Sequence, residues 1–209
     1  MLGWWVGGLL LAYLLGSIPF GYVIARLFFG IDIRKHGSGN IGFSNVLRTL
    51  GWKPAVAVFL GDALKGVAAV VIAGVSQDAT LALAAGLAAI AGHNWPVFLG
   101  FNGGRGVTTS LGVLVGLMPL VAVAGGAVWG ITVGLTRYIS LSSVMAALAV
   151  PLAAWLFRYP AIYVLGTAVM ALFVIYRHIP NLKRLWNGTE FKIGQKVATV
   201  KQTGRRRVR

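Results

Sequence analysis

Long apolar runs alternate with short polar islands along this chain. The runs cover about residues 4–29, 54–76, 79–99, 107–136, 139–157 and 160–176. A helix needs about 20 predominantly apolar residues to cross a bilayer, so each run predicts a membrane-spanning helix. The run 107–136 is too long for one untilted crossing and carries Met118-Pro119 near its middle. Proline fixes φ and has no N–H, which ends or kinks a helix. Length and that proline leave the run ambiguous, and the parity of the basic loops divides it into two short spans, 107–117 and 120–136, making seven in all.

The basic residues set that parity. Lys and Arg collect in cytoplasmic loops of membrane proteins. Arg34, Lys35, Arg48 and Lys53 fall in the first loop, Arg105 in the third, and Arg137 after the divided run. Arg105 and Arg137 share a side only if an even number of crossings lies between them. Asp78, Pro119 and Arg158 then belong to the opposite face. The predicted fold class is an all-α integral membrane protein. It has seven transmembrane helices with short amphipathic or loop elements on the cytoplasmic side, the N-terminus outside and the C-terminus cytoplasmic. Residues 1–190 form a single polytopic domain and residues 191–209 a basic cytoplasmic tail. Such a tail is drawn to anionic headgroups by about 1 kcal/mol per basic residue. Met1-Leu-Gly-Trp-Trp5 lacks a basic n-region, so the first run reads as an uncleaved span.

Composition narrows the chemistry. Charged residues make up 11% of the 209-residue chain, against about 25% in soluble domains. There is no cysteine, hence no disulfide framework and no thiolate metal site. Asp32, Asp62, Asp78 and Glu190 are the only carboxylates, too scattered for paired-carboxylate catalysis or a carboxylate metal cage. His36, His93 and His178 have no metal-ligand spacing, so neither metal nor cofactor is expected. The net charge of +15 follows from the positive-inside bias, and no nucleic-acid partner is expected. Many of the 29 glycines lie inside spans, as at Gly7-Gly8, Gly112, Gly116 and Gly125-Gly126. Small residues there suit close helix packing.

Two polar islands stand out. The first runs from His36 to Arg48 as His-Gly-Ser-Gly-Asn-Ile-Gly-Phe-Ser-Asn-Val-Leu-Arg. Gly37 and Gly39 allow backbone N–H groups to turn toward one point, as in an anion-binding nest. Ser38, Asn40, Ser44 and Asn45 add neutral donors, and Arg48 a planar fork suited to phosphate. The second island, Asn102-Gly103-Gly104-Arg105-Gly106, repeats this chemistry. Two further regions reach the same membrane level: Ser140, Ser142 and Ser143 at the start of one span, and Arg177, His178 and Asn181 at the end of another. Ser140 and Ser143 read as helix caps. Together these suggest a phosphate handled at a membrane surface. Asp62 and Lys65, three apart inside a span, share a helix face. They form a structural pair or lend charge to the phosphate site from below. His93 reads as a packing or hydrogen-bonding residue.

Several of these motifs, in this order, resemble the PlsY-type acyl-phosphate:glycerol-3-phosphate acyltransferase family of bacteria. The likeness runs from about Ala12 to Glu190. It takes in Leu15-Gly-Ser-Ile-Pro-Phe-Gly21, Gly37-Ser-Gly-Asn-Ile-Gly42 with Asn45 and Arg48, and Asp62-Ala-Leu-Lys-Gly66. It continues through Gly92-His93, Pro96-Val-Phe98, Gly103-Gly-Arg-Gly-Val107, Tyr176-Arg-His178, Asn181 and Gly188-Thr-Glu190. The family more often carries Lys at the positions of Asn102 and Arg105.

The resemblance implies a multi-pass enzyme of the bacterial cell (inner) membrane with a cytoplasm-facing active site. It implies acyl transfer from acyl phosphate to the sn-1 hydroxyl of glycerol 3-phosphate, giving 1-acyl-glycerol 3-phosphate and phosphate for phospholipid synthesis. Its substrates are then partners, as is the bilayer, and the upstream enzyme that forms acyl phosphate is a candidate partner. By position, Ser38, Arg48 and Arg105 correspond to phosphate-site residues. His178 and Asn181 correspond to residues that hold glycerol 3-phosphate. Gly37, Gly39, Asn40, Ser44, Asn45, Gly103, Gly104 and Ser142 complete the candidate binding set. With phosphate as leaving group, the donor's own phosphate or His178 would accept the hydroxyl proton. A transporter for a phosphorylated small molecule would instead show inverted repeats and polar groups at the midplane. Here the islands collect on one face. A plain membrane anchor leaves them unexplained.

Overall fold

The apolar runs fold into helices that place the polar islands at one end of a bundle. The computed structural model describes residues 2–195. Its elements, in order, are α1 (Leu2–Ser17), α2 (Phe20–Phe29), α3 (Phe43–Leu50), α4 (Trp52–Gly74), α5 (Ala79–Asn94), α6 (Val107–Leu117), α7 (Pro119–Thr136), α8 (Ile139–Leu156) and α9 (Ala161–Trp186). Single 3₁₀ turns lie at Ile33–Lys35 and Val97–Leu99. No strand occurs among the described residues. Six stretches are long and apolar enough to cross a membrane: Gly3–Phe29, α4, Ala79–Leu99, α7, α8 and α9. The eleven-residue α6 is shorter.

Three boundaries differ from the sequence pattern. The expected single span 4–29 is interrupted between Ser17 and Phe20. Pro19 cannot donate to the helix ladder, and its ring disfavours helical geometry at Ile18. The expected span 79–99 loses its regular helix at Asn94, since Pro96 follows. The last helix does not stop at Tyr176 but continues through Pro180 to Trp186, so His178 and Asn181 are helical residues.

Backbone contact between small residues draws the helices together. A Cβ on Gly16 of α1 would lie 2.1 Å from the Ala89 carbonyl oxygen of α5, and one on Gly112 of α6 would lie 2.0 Å from that of Ala63 of α4. Only glycine permits those crossings. Gly7 and Gly126, by contrast, face open space. The main core joins α4 to α9 through Val70, Ile90, Val113, Met118, Val121, Val150 and Met170. Large apolar side chains such as Leu10, Leu64, Val71, Leu135, Leu152 and Leu172 face outward and exposed. Water would disfavour that surface, whereas lipid accepts it. Asp62 and Lys65 are both buried in α4, 2.9 Å apart. Pairing is what makes them tolerable, because each alone would cost about 3 kcal/mol near the bilayer centre.

The chain after α9 folds back. Glu190 is buried, Phe191 covers the Arg48 guanidinium at 4.2 Å, and the Ile193 N–H donates to the Arg137 carbonyl while Arg137 Nη2 donates to the Ile193 carbonyl. The expected domain boundary at residue 190 thus falls inside a packed segment. The expected tail beyond residue 195 lies outside the described residues.

Candidate active site

The first island is built around Asn45, which is 1% exposed. Its Nδ2 donates to the carbonyls of Ile33, His36 and Asn40 at 3.3, 3.0 and 2.8 Å. Its Oδ1 accepts from the Ser38 N–H at 2.8 Å. One amide thereby closes the whole loop, its nitrogen and its oxygen both bonded to the chain's own backbone. Gly37 has φ +59°, and a Cβ there would meet Asn45 Oδ1 at 2.2 Å. The Gly39 N–H is taken by the His36 carbonyl. So the expected amide nest is corrected. Asn45, Gly37 and Gly39 shape the loop, and the amides of Ser38 and Gly39 are spent inside it.

This loop launches α3, a short amphipathic helix whose last turn carries Arg48. Arg48 is therefore helical rather than a loop residue. In the second island, Gly103 and Gly104 point their carbonyls at the Arg177 side chain, 2.9 Å from Nη2 and Nε respectively. Those glycines are also structural, and Arg105 is the residue this loop presents. Asn102 caps its own turn by donating to the Gly100 carbonyl.

Two adjoining cavities meet these side chains. A narrow polar niche is lined by Ser38, Ser44, Arg48, Arg105, Ser140 and Asn181, with Arg184, Glu190 and Phe191 closing it. A much larger cavity of about 480 Å³ lies beside it between helices. Asn40, Ser44, Arg105 and His178 stand at its polar end, while Phe59, Leu111, Leu114, Trp129, Ala147 and Val150 line its apolar length. Ser44, Arg105, Ile139 and Ser140 line both.

The niche is electropositive. Arg48, Arg105 and Arg184 share one carboxylate, Glu190, whose Oε2 lies 2.7 Å from Arg184 Nε. Glu190 Oε1 accepts from Asn181 Nδ2 at 2.6 Å. Burial pushes the Arg105 guanidinium down to about 10. The charge of Glu190 opposes that shift, while Arg184, Arg177 and Arg48 add to it. Burial lowers Arg48 as well, with Glu190 again opposing. Desolvated cations short of counter-charge favour an incoming anion. Ser140 Oγ, Asn181 Oδ1 and Arg184 Nη2 are buried with no partner among the described residues, which leaves them available to a ligand.

His178 is 2% exposed, and its Nδ1 lies 2.8 Å from the Val174 carbonyl. A carbonyl can only accept, so Nδ1 carries the proton and Nε2 is left as an acceptor when the ring is neutral. Ser142 is a correction: its hydroxyl donates to the Tyr138 carbonyl at 2.8 Å, and it lines neither cavity. Ser140, which the sequence reading made a cap, lines both, and the α8 N-terminus has no side-chain cap. Glu190 meets Asn181 and Arg184 only because the chain reverses after α9, a turn that the Gly188-Thr-Glu190 motif alone signals in the sequence. Asp32 is held in a fork by Arg34, which keeps its carboxyl at about 2, well away from these cavities' lining.

A family model described as glycerol-3-phosphate acyltransferase matches residues 6–188. The chain is 47% identical over 197 residues to the glycerol-3-phosphate acyltransferase of Halalkalibacterium halodurans, covering 90% of this chain and 95% of that one. It is 50% identical over 192 residues to the enzyme of that name from Brucella anthropi, covering 91% and 94%. Among solved structures it is similar to PlsY, an integral membrane glycerol 3-phosphate acyltransferase. The glycerol 3-phosphate form superposes with a TM-score of 0.87 at 41% identity, covering 91% of this chain and 96% of that chain. The lysophosphatidic acid form gives 0.85 over 91% and 95%.

Proposed function

Because the chain belongs to the glycerol-3-phosphate acyltransferase family, we propose that it moves an acyl group from acyl phosphate to the sn-1 hydroxyl of glycerol 3-phosphate. The products are 1-acyl-glycerol 3-phosphate and inorganic phosphate. The observation that carries this reading is the junction of an apolar cavity of about 480 Å³ with an arginine niche. A lipid-soluble chain and a phosphate can occupy adjoining spaces, with the reacting carbonyl where the two meet.

The acyl chain enters sideways from the lipid and lies along Phe59, Leu111, Leu114, Trp129 and Val150. Its phosphate faces Arg48 and Arg105. Glycerol 3-phosphate enters from the cytoplasm, held by Ser38, His178 and Asn181. The donor is already activated, since phosphate leaves readily. Positioning two substrates supplies about 7–11 kcal/mol of the barrier. Donors aimed at the developing oxyanion supply about 3–4 kcal/mol each. No carboxylate has a free position in the niche: Glu190 is held by Arg184 and Asn181. The departing phosphate of the donor accepts the hydroxyl proton, with His178 Nε2 as the alternative acceptor. No cofactor is required by this route.

The same reading gives α6 the role of a seventh, short crossing, which thins or distorts the bilayer locally. The N-terminus is then outside and the C-terminus in the cytoplasm, in a bacterial inner membrane. Purified protein given palmitoyl phosphate and glycerol 3-phosphate tests the reaction. The expected result is 1-palmitoyl-glycerol 3-phosphate with one equivalent of phosphate. Absence of product, or acylation at the sn-2 hydroxyl, overturns the proposal.

A further inference from the structure

A second polar cluster lies at the floor of the large cavity, outside the chemistry described above. Asp62, Lys65 and His93 are 2%, 4% and 4% exposed. Asp62 Oδ1 stands 2.9 Å from Lys65 Nζ and 3.4 Å from His93 Nδ1. Lys65 Nζ donates to the Ile18 carbonyl at 2.9 Å, at the break between α1 and α2. Asp62 and His93 line the cavity; Lys65 does not.

The opposite side of His93 carries the Arg105 loop. The His93 carbonyl accepts the Gly104 N–H at 2.9 Å. A Cβ on Gly104 would lie 2.0 Å from His93 Nε2, and one on Gly103 would lie 2.2 Å from the His93 carbonyl oxygen. The two glycines are thus laid directly on the ring and main chain of His93. Arg177 grips their carbonyls. The backbone entering Arg105 is fixed by both residues. A phosphate ligand displaced by about 1 Å loses much of its catalytic effect.

We propose that Asp62 and His93 are a positioning pair for Arg105. The carboxylate, paired with Lys65, stands 3.4 Å from the imidazole and sets where the ring packs, with no hydrogen bond formed between them. The imidazole and its carbonyl hold the glycine backbone that presents the guanidinium. This rests on Arg105 being a phosphate ligand. It also gives both glycines a reason: any side chain at 103 or 104 would push the loop off its support.

A double-mutant cycle separates this from a purely structural role. His93→Gln and Asp62→Asn are each made with Arg105 intact and with Arg105→Ala, in full-length detergent-purified protein assayed with palmitoyl phosphate and glycerol 3-phosphate. Residues that act through one another couple. His93→Gln therefore lowers kcat/KM by about tenfold with Arg105 present and by less than about twofold without it. Asp62→Asn shows the same dependence on Arg105, with the KM for palmitoyl phosphate rising more than kcat falls. Equal factors in both backgrounds overturn the proposal. If His93→Gln does not fold, Asp62→Asn decides by the same comparison. An Arg105→Ala protein as active as the parent removes Arg105 from the phosphate site itself, a failure distinct from that of the positioning pair.

Discussion

Asn181 Nδ2 donates to Glu190 Oε1 across 2.6 Å, joining the last turns of α9 to the segment that folds back from its end. The same carboxylate takes Arg184 on its other oxygen. One side chain thus orients Asn181 and supplies the counter-charge in a niche lined by three arginines.

Replacing Glu190 with Gln removes that charge and sets an amide nitrogen against a donor. Glu190→Gln is expected to lower stability by about 1–3 kcal/mol, toward the lower figure because Arg184 is partly exposed. Both the thermal midpoint in detergent and kcat/KM fall together. Unchanged values for both would leave Glu190 without a role in the niche.

Arg48 sits half-buried under Phe191 with its guanidinium in the niche. Arg48→Ala is expected to cost about 3–5 kcal/mol of transition-state binding, as for other truncated buried charge partners. That is a loss of about a hundredfold or more in kcat/KM. The helix itself survives, since alanine is a better helix former. Near-normal turnover in a correctly inserted protein would take Arg48 out of the site.

Asn45 makes a contrasting case. Its four hydrogen bonds all go to the chain's own backbone. Asn45→Ala should cost about 2–4 kcal/mol of stability and increase proteolysis of the segment around residues 36–45. A substrate ligand would behave otherwise, raising KM with the thermal midpoint unchanged.

The contrast between Arg48 and Asn45 shows what a sequence pattern carries. The helices at 107–117, 119–136 and 139–156 are legible almost to the residue, because apolar length and Pro119 are local signals. The interruption at Pro19 is not, since the apolar run continues across it. The reach of α9 to Trp186 is obscured by Arg177, His178 and Pro180, although Val174, His178 and Asn181 have the spacing of one helix face. Arg48, Arg105, Ser38, His178 and Asn181 are legible as a set and do line the adjoining cavities. Which glycine, Asn or Ser bonds inward and which faces the cavity is not. The choice between Ser140 and Ser142 depends on a hydroxyl bonding back to its own helix, and the choice of Glu190 on a contact made only when the chain folds back.

His178 holds its Nδ1 proton against the Val174 carbonyl, which leaves Nε2 as an acceptor. His178→Asn should raise the KM for glycerol 3-phosphate and lower turnover modestly. Under donor-phosphate assistance, the pH–rate profile at saturating acceptor keeps the parent's shape. Loss of an ionisation from that profile, with turnover recovered at high pH, would make His178 the general base.

Donor choice is the most direct test of all. The niche is lined by Arg48, Arg105 and Arg184, and the larger cavity beside it is mostly apolar. Purified protein is given equimolar palmitoyl phosphate and palmitoyl-CoA, differently labelled in the acyl chain, with limiting glycerol 3-phosphate. The predicted result is lysophosphatidic acid carrying only the acyl-phosphate label, with an equal amount of inorganic phosphate and no free CoA. Product carrying the CoA-derived label at a comparable rate would contradict it.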